Sequence, residues 1–96
     1  MKPTTEWQKK FRAAVKEFIQ DQKDWYSDYI NYRVSFKDDK DFHLDVIENY
    51  WSHIHIHGTY EGDGTFYISH FSSAATIDLT HEVTDFIQNL NLDEDD

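Results

Sequence analysis

From Asp41 to Asp96 the chain has neither lysine nor arginine, yet it holds twelve carboxylates, a formal charge of −12. All nine Lys and Arg lie in residues 1–40 against seven acids, a formal +2 there, and the two parts make the net −10. A small body so one-sided repels phosphate and anionic headgroups and attracts basic surfaces, which argues against direct nucleic-acid binding and against a membrane-surface role. Cysteine is absent, which removes disulfide scaffolds, thiol nucleophiles and thiolate metal sites while agreeing with a reducing cytoplasm. The three glycines, Gly58, Gly62 and Gly64, all sit at one hairpin, leaving no glycine-rich phosphate cradle and no dinucleotide fingerprint. The serines form no nucleophile elbow. No run approaches the ~20 apolar residues that span a bilayer, and no early apolar stretch has the form of a secretory signal. The expectation is a soluble, cytoplasmic protein that is not an enzyme.

What is present is a foldable chain. Hydrophobic residues make up 39% and aromatics 17% of the 96 residues, more than a disordered acidic chain carries, so the negative charge rides on one folded domain over residues 1–92. Only Asp93-Glu94-Asp95-Asp96 reads as a disordered acidic tail.

Trp7, Phe11, Ala14, Val15, Phe18, Gln22 and Trp25 recur at three- and four-residue spacing, which predicts an amphipathic helix over about residues 5–25. Thr5 with Gln8 three residues on forms its N-terminal cap. Lys9, Arg12, Lys16 and Lys23 share one flank of that helix, and Glu6, Glu17, Asp21 and Asp24 another. After Ser27 the period falls to two. Ile30, Tyr32, Val34 and Phe36 alternate with polar residues, then Phe42, Leu44 and Val46 with His43, Asp45 and Ile47, around the polar turn Asp38-Asp39-Lys40-Asp41, so this is a hairpin. Alternation resumes with Ile54 and Ile56 opposite Trp51, His53, His55 and His57. Glu61-Gly62-Asp63-Gly64-Thr65 fits a type I turn closed by a left-handed Gly64, and a fourth strand follows over about Phe66 to Phe71. Ala75, Ile77 and Leu79 alternate as a fifth strand or else open the closing helix, whose Val83, Phe86, Ile87 and Leu90 have helical spacing with Thr80 as the cap. The fold class is α+β: a two-layer sandwich with a single antiparallel sheet of four or five strands and both helices on one face.

His53, His55 and His57 form the one cluster that suggests chemistry. Alternate strand residues place imidazoles on one face about 6.6 Å apart, near enough to share Zn²⁺ or Ni²⁺ given a third donor from a neighbour, whereas His53 and His57, at about 13 Å, are too far apart. The turn at Gly64 sets His57 against Ser69 and His55 against Phe71, which puts His70 on the other side; a one-residue slip would bring it across. The surrounding carboxylates favour imidazolium, and protonating all six histidines would move the net charge from −10 to −4, so a partner held by charge binds less tightly at mildly acidic pH.

Sixteen aromatics exceed what one small core needs, so some tyrosine and tryptophan is expected at a contact surface, with Trp25, Tyr26, Tyr29, Trp51 and Tyr60 as candidates. The reading that follows is an acidic binding protein that occludes a basic protein surface, as an inhibitor, immunity protein or counter-defence protein does, with carboxylates imitating nucleic-acid phosphates on a toxin or nucleic-acid-handling enzyme. Its partner-binding residues are Asp45, Glu48, Trp51, Tyr60, Glu61, Asp63, Glu82 and Asp85. The alternatives are a histidine-dependent metal-binding or pH-responsive module and a self-associating structural protein in which the basic stripe of the first helix docks on the acidic half of a second copy; the oligomeric state expected is monomer or homodimer.

Overall fold

The computed structural model describes residues 5–25, 29–49 and 52–92. The chain runs α1 (Glu6–Trp25), β1 (Asn31–Phe36), β2 (Asp41–Ile47), β3 (His53–Tyr60), β4 (Phe66–Ser73) and α2 (Ile77–Asn89). The strands form one antiparallel meander, β1-β2-β3-β4, so sheet order repeats chain order. Both helices bury a stripe in the same core, Trp7, Phe11, Val15 and Ile19 from α1 and Leu79, Val83 and Ile87 from α2, against Phe42, Leu44, Val46, Ile54, Ile56 and Phe66 of the sheet. Phe18 and Phe86 stack at 4.4 Å where the helices meet. The α+β class, the single antiparallel sheet and the two helices on one of its faces are as the sequence periodicity predicts.

The α1 cap is the reciprocal box expected of Thr5 and Gln8: the Thr5 N–H donates to Gln8 Oε1 at 2.9 Å and the Gln8 N–H to Thr5 Oγ1 at 3.4 Å. Buried Gln8 and Trp7 also donate to the carbonyls of Asp38 and Asp39, which ties the helix start to the β1–β2 turn and satisfies both polar side chains. Within that turn Asp38 Oδ1 accepts the N–H groups of Lys40 and Asp41, both at 2.9 Å.

Of the two readings of residues 75–79 the helical one holds: the sheet has four strands among the described residues, because Ile77 and Leu79 open α2. Three details differ from the sequence expectation. Thr76, not Thr80, is the cap of α2, and accepts the Leu79 N–H; the alternation at 75–79 is incidental, since Leu79, Val83 and Ile87 make the buried helical stripe and Ile77 is 74% exposed. The β3–β4 loop departs from a type I turn, because Gly62 as well as Gly64 has positive φ, 94° and 91°, a conformation open to glycine. The register near the turn is the expected one, with Tyr60 opposite Phe66, but it shifts between Gly58, paired with Ile68, and His57, paired with His70. Ser69 is the extra residue of a β-bulge, and its hydroxyl donates to the His57 carbonyl at 3.1 Å. The shift puts His70 opposite His57 and Ser72 opposite His55, not Ser69 and Phe71 as the turn alone implied. The acidic tail, Tyr26 and Trp51 lie outside the described residues.

Candidate functional site

The sheet face away from the helices collects the polar alternates of every strand. Antiparallel pairing aligns them in rows: Arg33, Asp45, His55 and Ser72 in one, and Ser35, His43, His57 and His70 in the next. His53 lies beside the first row, opposite Ile47. Five of the six histidines thus share one surface. Their rings form a chain: His53 to His55 at 5.5 Å, His55 to His43 at 5.9 Å, His43 to His57 at 4.3 Å and nearly parallel, and His57 to His70 at 6.0 Å.

Asp45 is the buried acid of this face, 7% exposed. Its Oδ1 lies 3.3 Å from His53 Nδ1 and 3.5 Å from His55 Nδ1, and donor atoms of these three residues all fall within 4.8 Å of one another. The sequence pattern put His53, His55 and His57 together as metal ligands; the structure groups the first two with Asp45 and leaves His57 in the adjoining row, stacked on His43. His43 was missed, and His70, which the turn alone set on the other side, is brought across by the register shift. The alternation of β2 already placed His43 and Asp45 on one side, and the bulge that delivers His70 has no signal beyond Gly58.

His43 departs from the expectation that neighbouring acids favour imidazolium. Burial holds its pKa below the ordinary imidazole value, and the facing His57 and nearby His55 push the same way, against Asp45. Its Nε2 is buried with no hydrogen-bond partner. An imidazole that resists protonation in the folded state takes up a proton more readily in the unfolded one, so the neutral ring contributes stability above the unfolded value near 6.5, which fades as pH falls through 6.5 toward the depressed folded value. Urea midpoints measured at pH 7.5 and 5.5 should therefore fall further on acidification in the wild type than in His43→Gln; equal falls would show that His43 does not contribute.

The residues read as partner-binding separate into two groups. Asp45 is engaged as described, Glu48 accepts the Thr76 N–H and hydroxyl at 3.1 Å each, and Tyr60 stacks on Trp7 at 4.8 Å while its Oη accepts the Gly64 N–H. Glu48 and Tyr60 brace the fold. Glu61, Asp63, Glu82 and Asp85 are exposed, and among the described residues none of the four pairs with Lys or Arg. Asp63 accepts the N–H and hydroxyl of Thr65, which hold its carboxyl below the usual range. The Leu92 N–H donates to the Gly64 carbonyl at 2.8 Å, so that turn abuts the end of α2. Between the helices runs a shallow groove lined by Phe18, Phe86 and Leu90, with Glu82 and Asp85 beside them. Tyr29 is exposed at the start of β1.

Fold and surfaces define a small α+β domain with an open histidine-bearing sheet face and two helices on the other face. Comparison with known proteins finds no matching family model, no similar curated protein and no similar solved structure. Among the described residues no helix is long and apolar enough to cross a membrane.

Proposed function

We propose that this protein is a non-enzymatic, cytoplasmic binding protein that occludes a basic surface of a macromolecular partner, in the manner of an inhibitor, immunity protein or counter-defence protein, with its carboxylates standing where nucleic-acid phosphates would. The observation that carries this reading is the placement of Glu82 and Asp85, unpaired with Lys or Arg among the described residues, beside the Phe18–Phe86 groove. An apolar floor with an anionic rim suits the aliphatic stem and cationic head of lysine or arginine. The cation-free residues 41–92 supply β2, β3, β4 and α2, while the lysines and arginines of the described residues belong to α1, β1 and the turn after β1. A field of this kind speeds encounter with a basic partner and deters phosphate.

Capture from a lysate of the native host should recover a basic partner, and Glu82→Lys/Asp85→Lys should weaken its affinity at least about tenfold at low salt. The difference should shrink toward 0.5 M salt as screening shortens the Debye length to a few ångströms, about 3 Å at 1 M. An acidic partner, or affinity indifferent to both salt and charge reversal, would overturn the reading.

A further inference from the structure

We propose that Asp45, His53 and His55 form a site for a divalent transition metal of the zinc class, bound through Asp45 Oδ1 and the two Nδ1 atoms. The site is independent of the acidic-partner reading, since it lies on the sheet face opposite the helices.

Distances carry the argument. A tetrahedral ion with bonds of ~2.0–2.1 Å holds its donor atoms about 3.3–3.4 Å apart, whereas cis donors of an octahedral ion at the same bond length stand about 3.0 Å apart. The two carboxylate–imidazole separations, 3.3 and 3.5 Å, lie close to the tetrahedral edge, and the donor atoms of the two histidines fall within 4.8 Å of each other. The competing account is a hydrogen bond between His53 Nδ1 and Asp45 Oδ1, which their 3.3 Å separation allows, with a longer ion pair to His55 at 3.5 Å; both contacts are longer than a charge-assisted N–H···O⁻ bond, about 2.7–2.9 Å. Both Nδ1 atoms converge on one carboxylate oxygen, an arrangement that shared coordination explains directly.

Burial points the same way. Asp45 is the buried charged residue among those described, and no lysine or arginine pairs with it. A carboxylate removed from water costs several kcal/mol unless its charge is compensated, and a dication held by two imidazoles compensates it. Sequence supplies the rest of the geometry. His53 and His55 are alternate residues of β3 and so share a face, and antiparallel pairing sets Asp45 directly opposite His55. Imidazole and carboxylate donors suit zinc, nickel or cobalt. Three protein donors leave one tetrahedral position facing a shallow groove lined by Arg33, Ser72 and Ser73, the ligand count of an open site rather than a closed structural one.

The test uses the untagged full chain, stripped with chelator and titrated with zinc alone by calorimetry. One equivalent should bind. His55→Ala, whose half-exposed position spares the core, should lose about 100-fold or more in affinity, as should Asp45→Asn; His57→Ala and His70→Ala should bind zinc within about threefold of wild type. Zinc at 100 times its dissociation constant should raise Tm by about 10 °C or more, and this shift should vanish in His55→Ala. Cobalt in place of zinc should give the intense visible absorption of a tetrahedral ion. Failure of zinc to bind, retention of affinity in His55→Ala, or loss of affinity in His57→Ala would overturn the assignment, and none of these results would affect capture of a basic partner by Glu82 and Asp85.

Discussion

Gly58→Ala is expected to destabilise the domain by about 3 kcal/mol or more, a large share of the 5–15 kcal/mol that holds an ordinary domain folded. A Cβ at Gly58 would lie 2.5 Å from a Phe42 ring atom and 2.5 Å from the Tyr67 carbonyl oxygen. Contacts that short force something to move. The Phe42 ring is fully buried, at the centre of the aromatic cluster, and the carbonyl belongs to the backbone of the neighbouring strand, so relief comes only by displacing the core ring or by parting β3 from β4. Steric room is the cause here, since Gly58 does not have the positive φ of Gly62 and Gly64. Gly62→Ala is the useful contrast: nothing lies within 4 Å of its added Cβ, and its cost is confined to holding alanine at positive φ, roughly 1–2 kcal/mol. Urea titration of the three proteins checks the order. A loss below 1 kcal/mol for Gly58→Ala would mean that the strands can separate there at little cost, and the bulge that sets His70 against His57 would no longer be anchored by close backbone approach.

That glycine marks the boundary between what the sequence made legible and what it did not. Periodicity located α1, the four strands and the buried stripe of α2, because the core selects apolar residues at intervals of two or of three and four wherever one face is covered. The Thr5–Gln8 box was legible for the same local reason, each partner being three residues from the other. Long-range pairing was not. The position of Asp45 beside two histidines depends on how β2 pairs with β3, a register for which the sequence of residues 48–52 carries no turn signal. The bulge at Ser69 depends on a close approach between Gly58, Phe42 and Tyr67 that no run of residues announces. Glu48 and Tyr60 looked like surface groups by residue type, and their structural roles come from partners 28 residues away, at Thr76, and 53 away, at Trp7. Composition, by contrast, fixes which elements carry the cations, because every lysine and arginine lies in residues 1–40.

Phe11→Ala is expected to have the other large effect, about 3–5 kcal/mol. Phe11 is fully buried on the inner face of α1, and its ring lies 4.8 Å from Phe42, 5.0 Å from Phe66 and 6.2 Å from both Trp7 and Phe36. Truncation removes four ring contacts together with the transfer free energy of the ring, and the walls of the resulting cavity cannot close easily. Phe42 is pinned over Gly58, Trp7 is fixed by its bond to Asp39 and its stack on Tyr60, and Phe66 follows directly on the β3–β4 turn. The loss should appear as a lower urea midpoint with unchanged slope and a fall in Tm of about 12 °C or more at 4–8 °C per kcal/mol for a domain of this size. Ile77→Ser, at a site 74% exposed, is the control and should stay within about 0.5 kcal/mol of wild type. A Phe11→Ala loss under 1.5 kcal/mol would show that α1 rests on the sheet through its flanks rather than through this cluster. The basic groups of α1 would then have no fixed position relative to the carboxylates of α2, and the charge arrangement on which the proposed recognition of a basic partner depends would be an average over loosely docked arrangements.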